Sequence, residues 1–226
     1  MLGFGLRRGL LLGSRHTPWY LAGGVPLANC LGAYQPVGAA NIGASYTNIA
    51  HPGTGTDAEP VQFKEPTWNV SDGWIADGTK VARLPAAWVY GATTSIICRF
   101  TGVGAPFEDD NLFGSQTPYA APIHRSATEL FFGIGGKYLL PTFTSTASGV
   151  VALCGPYGYY NKANSGPVVA PDFTGTDRIF VFGKTATSGL IAAKIQALAI
   201  YNITLSLAQV NAITDAMAAL PPALPI

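Results

Sequence analysis

The stretch Gly189–Leu220, GLIAAKIQALAIYNITLSLAQVNAITDAMAAL, constrains the fold more than any other part of the chain. Lys194–Tyr201 reads as a strand, and a helix start follows it closely. Ser206 is a good N-cap, and Gln209 three residues on completes a capping box in which each side chain satisfies an otherwise orphaned amide. Leu205 and Val210 are placed to form a hydrophobic staple. Val210, Ile213, Met217 and Leu220 then recur at spacings of three and four, which gives one apolar stripe along a short helix. Pro221-Pro222 ends it.

The rest of the chain has the composition of many short strands joined by turns. Its 226 residues are 48% hydrophobic, enough for a large core in one domain, and its 27 glycines and 17 prolines are spread along the length. Charged residues are only 11%, against about 25% in ordinary soluble domains, which suggests a surface that faces protein in an assembly, with a poorly charged monomer as the alternative. No acidic residue precedes Asp57, so Arg7, Arg8 and Arg15 give the leading segment a charge of +3. Three arginines favour an acidic protein neighbour over nucleic acid.

Cys30, Cys98 and Cys154 are odd in number and widely spaced, with no C-x-x-C, so neither a disulfide framework nor a zinc site is indicated. Free thiols in apolar runs act as small hydrophobes and fit folding in a reducing compartment. Arg7-Arg8 before Leu10-Leu11-Leu12 superficially resembles a signal peptide, but the apolar core is too short, and no run is long enough for a membrane helix.

Strands are expected at Ala28–Tyr34, Thr93–Thr101, Asn111–Ser115, Glu129–Ile134, Gly149–Tyr160 (two strands about a Gly-Pro turn), Arg178–Gly183 and Lys194–Tyr201. Asp77-Gly78 is expected to close a hairpin. The strand–"IYN-x-x-LS"–helix unit resembles the end of laminin-G-like domains, which have the concanavalin-A-like jelly-roll fold. The pattern P-T-W…G-W…G-T over Pro66–Leu84 resembles their opening hairpin, and Ala33–Asn48 resembles the start of laminin-G-like proteins of tailed phages. The resemblance implies an all-β, two-sheet jelly-roll sandwich with one short C-terminal helix. It also implies a phage virion component, such as a capsid decoration, head-fibre or tail protein. Such a component would fold in the host cytoplasm and assemble with other virion proteins and copies of itself.

On this reading residues 1–27 form an extended basic arm, 28–220 the jelly-roll domain and 221–226 a Pro-rich tail. The arm offers Arg7, Arg8, Leu10, Leu11, Leu12, Arg15, Trp19 and Tyr20 as an assembly interface, with docking of the arm on its own domain as the alternative.

Glycosidases on this fold carry an E-x-D-x-x-E run that projects paired carboxylates into the cleft. Glu59, Glu65, Glu108 and Glu129 lack that neighbourhood, so no enzymatic activity, no catalytic residue and no cofactor is expected. Glu108-Asp109-Asp110 is the densest oxygen cluster, but consecutive acidic residues more often form a solvated turn than a calcium site. His16, His51 and His124 are scattered, and Gly133–Tyr138 fails the spacing of a phosphate loop. Tyr157, Tyr159 and Tyr160, with Trp68, Trp74 and Trp88, are candidates to stack on a host glycan in a lectin-like module, although aromatic residues also dominate sandwich cores.

Overall fold

The longest strand of the computed structural model, Ala192–Tyr201, lies inside the largest sheet and has neighbours on both sides. The structure describes residues 17–103, 110–115, 120–126, 129–134, 139–141, 148–167 and 177–224. In chain order their strands are β1 (Cys30–Tyr34), β2 (Glu59–Pro60), β3 (Thr67–Asn69), β4 (Gly73–Asp77), β5 (Ala82–Arg83) and β6 (Ser95–Thr101). Next come β7 (Asp110–Asn111), β8 (Phe113–Gly114), β9 (Ala120–Ser126), β10 (Glu129–Ile134) and β11 (Leu139–Pro141). The last are β12 (Gly149–Cys154), β13 (Tyr157–Tyr160), β14 (Ala163–Pro167), β15 (Phe180–Val181) and β16 (Ala192–Tyr201). Helix α1 spans Ile42–Ser45 and α2 spans Leu207–Ala218.

The large antiparallel sheet runs β14-β13-β12-β6-β16-β4-β3. β6 lies along one side of β16, while β4 pairs with the first half of its other side and β1 with the second half. Two four-stranded sheets accompany it, β11-β10-β9-β7 and β2-β5-β15-β8, and the second packs on the large sheet through Ala82, Phe113 and Val181. The fold is therefore an all-β sandwich with one C-terminal helix, as the sequence indicates.

Strand periodicity divides the central side chains between two cores. Ile96, Cys98 and Phe100 of β6, Val151 and Leu153 of β12, and Ile195, Leu198 and Ile200 of β16 face the β2-β5-β15-β8 sheet. The residues between them, Ile97, Val150, Ala152, Cys154, Ala197, Ala199 and Tyr201, face α2. That pattern explains the continuous apolar runs, because both faces of these strands are covered. Alanines at 152, 197 and 199 leave room for the helix, whereas the sandwich side carries bulkier Ile and Leu.

α2 starts as expected. Ser206 Oγ accepts from the Gln209 amide at 3.3 Å, and Gln209 Oε1 accepts from the Ser206 amide at 2.9 Å. Leu205, Val210, Ile213 and Met217 are buried. The helix end holds a feature not predicted from sequence: Arg99 of β6, with 0% of its surface exposed. Its Nη1 donates to Met217 O at 2.7 Å and Leu220 O at 2.5 Å, and its Nη2 donates to Pro222 O. A cation beside the carbonyl end of a helix is stabilised by the aligned peptide dipoles, and here it also fixes the tail to Pro222. Burial lowers the guanidinium pKa to about 10, so the group remains charged at neutral pH.

The strand expectations hold broadly, with one change at the opening hairpin. The tight connection is Val70–Asp72, which pairs Trp68 with Trp74 and Asn69 with Gly73. Gly73 has φ +76°, and a Cβ there would lie 2.4 Å from Ile195 O, so β4 is pressed against β16. Asp77-Gly78 instead forms an Asx turn, with the Thr79 amide donating to Asp77 Oδ1 at 2.9 Å, and leads from the large sheet to β5.

Residues 17–27, expected as the end of an extended arm, lie on the domain. Trp19–Gly24 and Leu27–Asn29 form 3-10 turns, and the first packs against α2. Gly23, at φ +72°, permits this approach: a Cβ would lie 2.9 Å from the Gln209 Cα.

Candidate functional site

The aromatic residues proposed from sequence are mostly structural. Tyr159 is 4% exposed and belongs to the core under α2, with half-buried Tyr157 beside it. Tyr160 projects from the other face of β13, where its ring lies 6.4 Å from that of Phe100. The three tyrosines thus do not form one platform. Trp74 is buried, stacks on Tyr46 at 5.1 Å and donates from Nε1 to Ser45 Oγ at 2.7 Å. Trp88 is buried against Gly32.

Trp19 is also buried; its Nε1 donates to Gln35 Oε1 at 2.9 Å. Tyr20 donates to Ile49 O at 3.2 Å and accepts at its carbonyl from the Tyr201 hydroxyl at 2.9 Å. Both residues anchor the chain's own first turns. Arg7, Arg8, Leu10, Leu11, Leu12 and Arg15 lie outside the described residues, as do Glu108 and Asp109. Asp110 is buried at the start of β7. Among the described residues no group of three or more His, Cys, Asp or Glu is placed to hold a metal ion. No described helix is long and apolar enough to cross a membrane. His51 is tied into the β1 region, with Nε2 2.6 Å from Cys30 O.

Phe63 stands apart from this pattern. Its surface is 92% exposed, and it occupies φ +62°, a left-handed conformation that is strained for an aromatic residue. The turn carrying it is pinned from both sides. Lys64 N donates to Val61 O at 2.8 Å, closing the turn, while Val61 N donates to Val81 O at 3.2 Å and Val81 N to Lys64 O at 2.8 Å. Lys64 Nζ donates further to Ala186 O at 2.9 Å. Strain held in this way is characteristic of residues kept for what they present to a ligand.

Phe63 overlooks an open groove of about 780 Å³, whose apolar lining also includes Ile42, Pro66 and Trp68. Trp68 Nε1 donates to Pro36 O at 2.8 Å, which fixes the indole. The polar lining is Asn41, Glu65, Thr67 and Lys80. Asn41 Oδ1 caps α1 by accepting from the Ala44 amide at 2.8 Å, which leaves its N–H donors. Tyr46 beneath this region is 7% exposed, and its hydroxyl has no hydrogen-bond partner among the described residues. Burial and the Glu65 carboxylate both raise its pKa, so the phenol stays protonated. Aromatic and apolar surface with a few oriented polar groups is the usual make-up of a small-molecule site. Phe63 carries no motif in the sequence; its signal is the positive φ and the exposure, both visible only in the fold.

No family model matches the chain, and no curated protein matches it. Solved structures do. A Trypanosoma rangeli sialidase in complex with sialic acid superposes with a TM-score of 0.61 at 13% identity, over 84% of this chain and 33% of the sialidase. A second structure of that enzyme, with 2,3-difluorosialic acid as a covalent intermediate, matches over 89% of this chain and 35% of the enzyme, at a TM-score of 0.61 and 13% identity. This chain thus spans about a third of the length of those sialidases. Domain 4 of an extracellular GH43 arabinanase from Geobacillus stearothermophilus, in complex with arabinotriose, matches with a TM-score of 0.55 at 15% identity. There the alignment covers 82% of this chain and 98% of the domain. Together they show a β-sandwich fold of the lectin-like kind.

These matches correct the expectation that the chain is not an enzyme. The sialidase and the arabinanase are glycoside hydrolases. The missing E-x-D-x-x-E run tests for only one arrangement of catalytic groups, so it does not separate the chain from that class.

Proposed function

We propose that this chain binds carbohydrate, on a laminin-G-like variant of the sandwich, through the groove overlooked by Phe63. The observation that carries the reading is the strained, 92%-exposed Phe63 beside a groove with a polar rim. An aromatic face in water stacks favourably on the apolar face of a sugar ring, and a turn fixed in advance loses little entropy on binding. Support also comes from the arabinanase domain, which matches almost end to end and carries an arabino-oligosaccharide. Titration calorimetry against short plant and animal oligosaccharides tests the reading. Binding by the full chain that drops on Phe63→Ala supports it; equal affinities for both proteins refute it.

A second reading, assembly within a virion, is supported by the low charge and by the acid-free leading segment with its three arginines. On this reading residues 1–16 reach an acidic neighbour, since residues from 17 onward already pack on the domain. Native mass measurement after deleting residues 1–16 tests it. A folded protein that no longer joins its assembly supports the reading, and unchanged assembly refutes it.

A further inference from the structure

Building on the carbohydrate reading, we infer that the Phe63 groove selects uncharged oligosaccharides over acidic ones. Among the described residues, the charges lining the groove are one carboxylate, Glu65, and one ammonium, Lys80, which cancel. None of the described residues lining it is an arginine. An acidic sugar is held best by the planar guanidinium fork, which meets a carboxylate with two parallel hydrogen bonds. Two of the described arginines are engaged elsewhere: Arg83 pairs with Glu59 at 3.0 Å, and Arg99 is buried at the end of α2.

What the groove does offer suits hydroxyl groups. Glu65 supplies two acceptor oxygens, Asn41 supplies N–H donors, and Thr67 supplies a hydroxyl that serves as either. The electron-rich face of Phe63 attracts the positively polarised C–H groups of a sugar ring and repels an anion. Glu65 also repels a sugar carboxylate, and the protonated Tyr46 hydroxyl beneath adds no positive charge.

The experiment is calorimetry of the full chain with trisaccharides of arabinose, xylose and glucose, and with sialyllactose and a galacturonic acid trimer, at low and high ionic strength. The expected result is that a neutral trisaccharide binds at least about tenfold more tightly than either acidic sugar. That affinity should change little with salt and fall about tenfold or more on Phe63→Ala, because a stacked ring is lost. Tighter binding of an acidic sugar, weakened by salt and by Lys80→Met, overturns the selectivity while leaving the carbohydrate reading intact. No binding by either class overturns the carbohydrate reading itself, and the selectivity falls with it. Phe63 contributes almost no buried surface, so its replacement leaves the fold in place and the comparison interpretable.

Discussion

Replacing Arg99 with methionine should destabilise the domain by about 2–4 kcal/mol, although no ion pair is broken. The figure follows from three carbonyls that lose their donor, those of Met217, Leu220 and Pro222. The Met217 contact is fully buried, so its orphaned carbonyl costs about 1–3 kcal/mol, while the other two reach water and lose about 0.5–1.5 kcal/mol each. Removing the cation from the helix end costs about 0.5–1 kcal/mol more. Against this, the substitution releases the burial cost of a charged group whose Nε has no partner among the described residues. Methionine fills much of the same volume, which limits the cavity contribution. Urea unfolding should show a lower midpoint with an unchanged slope. Hydrogen exchange should show the loss concentrated in the last turn of α2. A midpoint within error of the parent would show that Arg99 does not hold the helix end.

Ser206→Ala should cost about 1 kcal/mol by removing the Oγ acceptor of the Gln209 amide, as read from a thermal melt; no loss would refute the cap. Phe63→Gly should leave stability unchanged or raise it by up to about 1 kcal/mol, because glycine relieves the positive φ and little packing is lost, while sugar binding falls. Lower stability together with unchanged binding would refute both parts. Stability should also decline as pH rises from about 9 to about 12. Burial raises the thiols of Cys30 and Cys154 from 9.0 to about 12, so the unfolded chain releases those protons first and is favoured in that window. Urea midpoints that are flat across that range would contradict the burial of these thiols.

The parts of the fold legible in the sequence were those set by periodicity and caps. Lys194–Tyr201, Ser206 and the 210–213–217 stripe carry their structural instruction locally, and all three stand in the structure. β9 and β14 were not legible: one contains Pro122, and the other, ANSGP, has no strand-forming residue. Pairing with a neighbouring strand overrides local preference there. Arg99 looked like an ordinary strand residue because its carbonyl partners lie more than a hundred residues away. Tyr157, Tyr159 and Tyr160 cluster in sequence, yet alternation sends Tyr160 to one face of the sheet and the other two to the opposite face. Phe63 sits alone in a loop, and only the fold shows its ring in water beside Trp68 and Glu65.

The most direct test of the sugar-binding groove is an NMR titration of the isotopically labelled full chain with a neutral oligosaccharide that calorimetry shows to bind. The account predicts saturable shift changes confined to Asn41, Phe63, Glu65, Thr67, the Trp68 indole and Lys80, with Tyr157–Tyr160 unmoved. Shifts centred on β13, or on any face remote from Phe63, would contradict it.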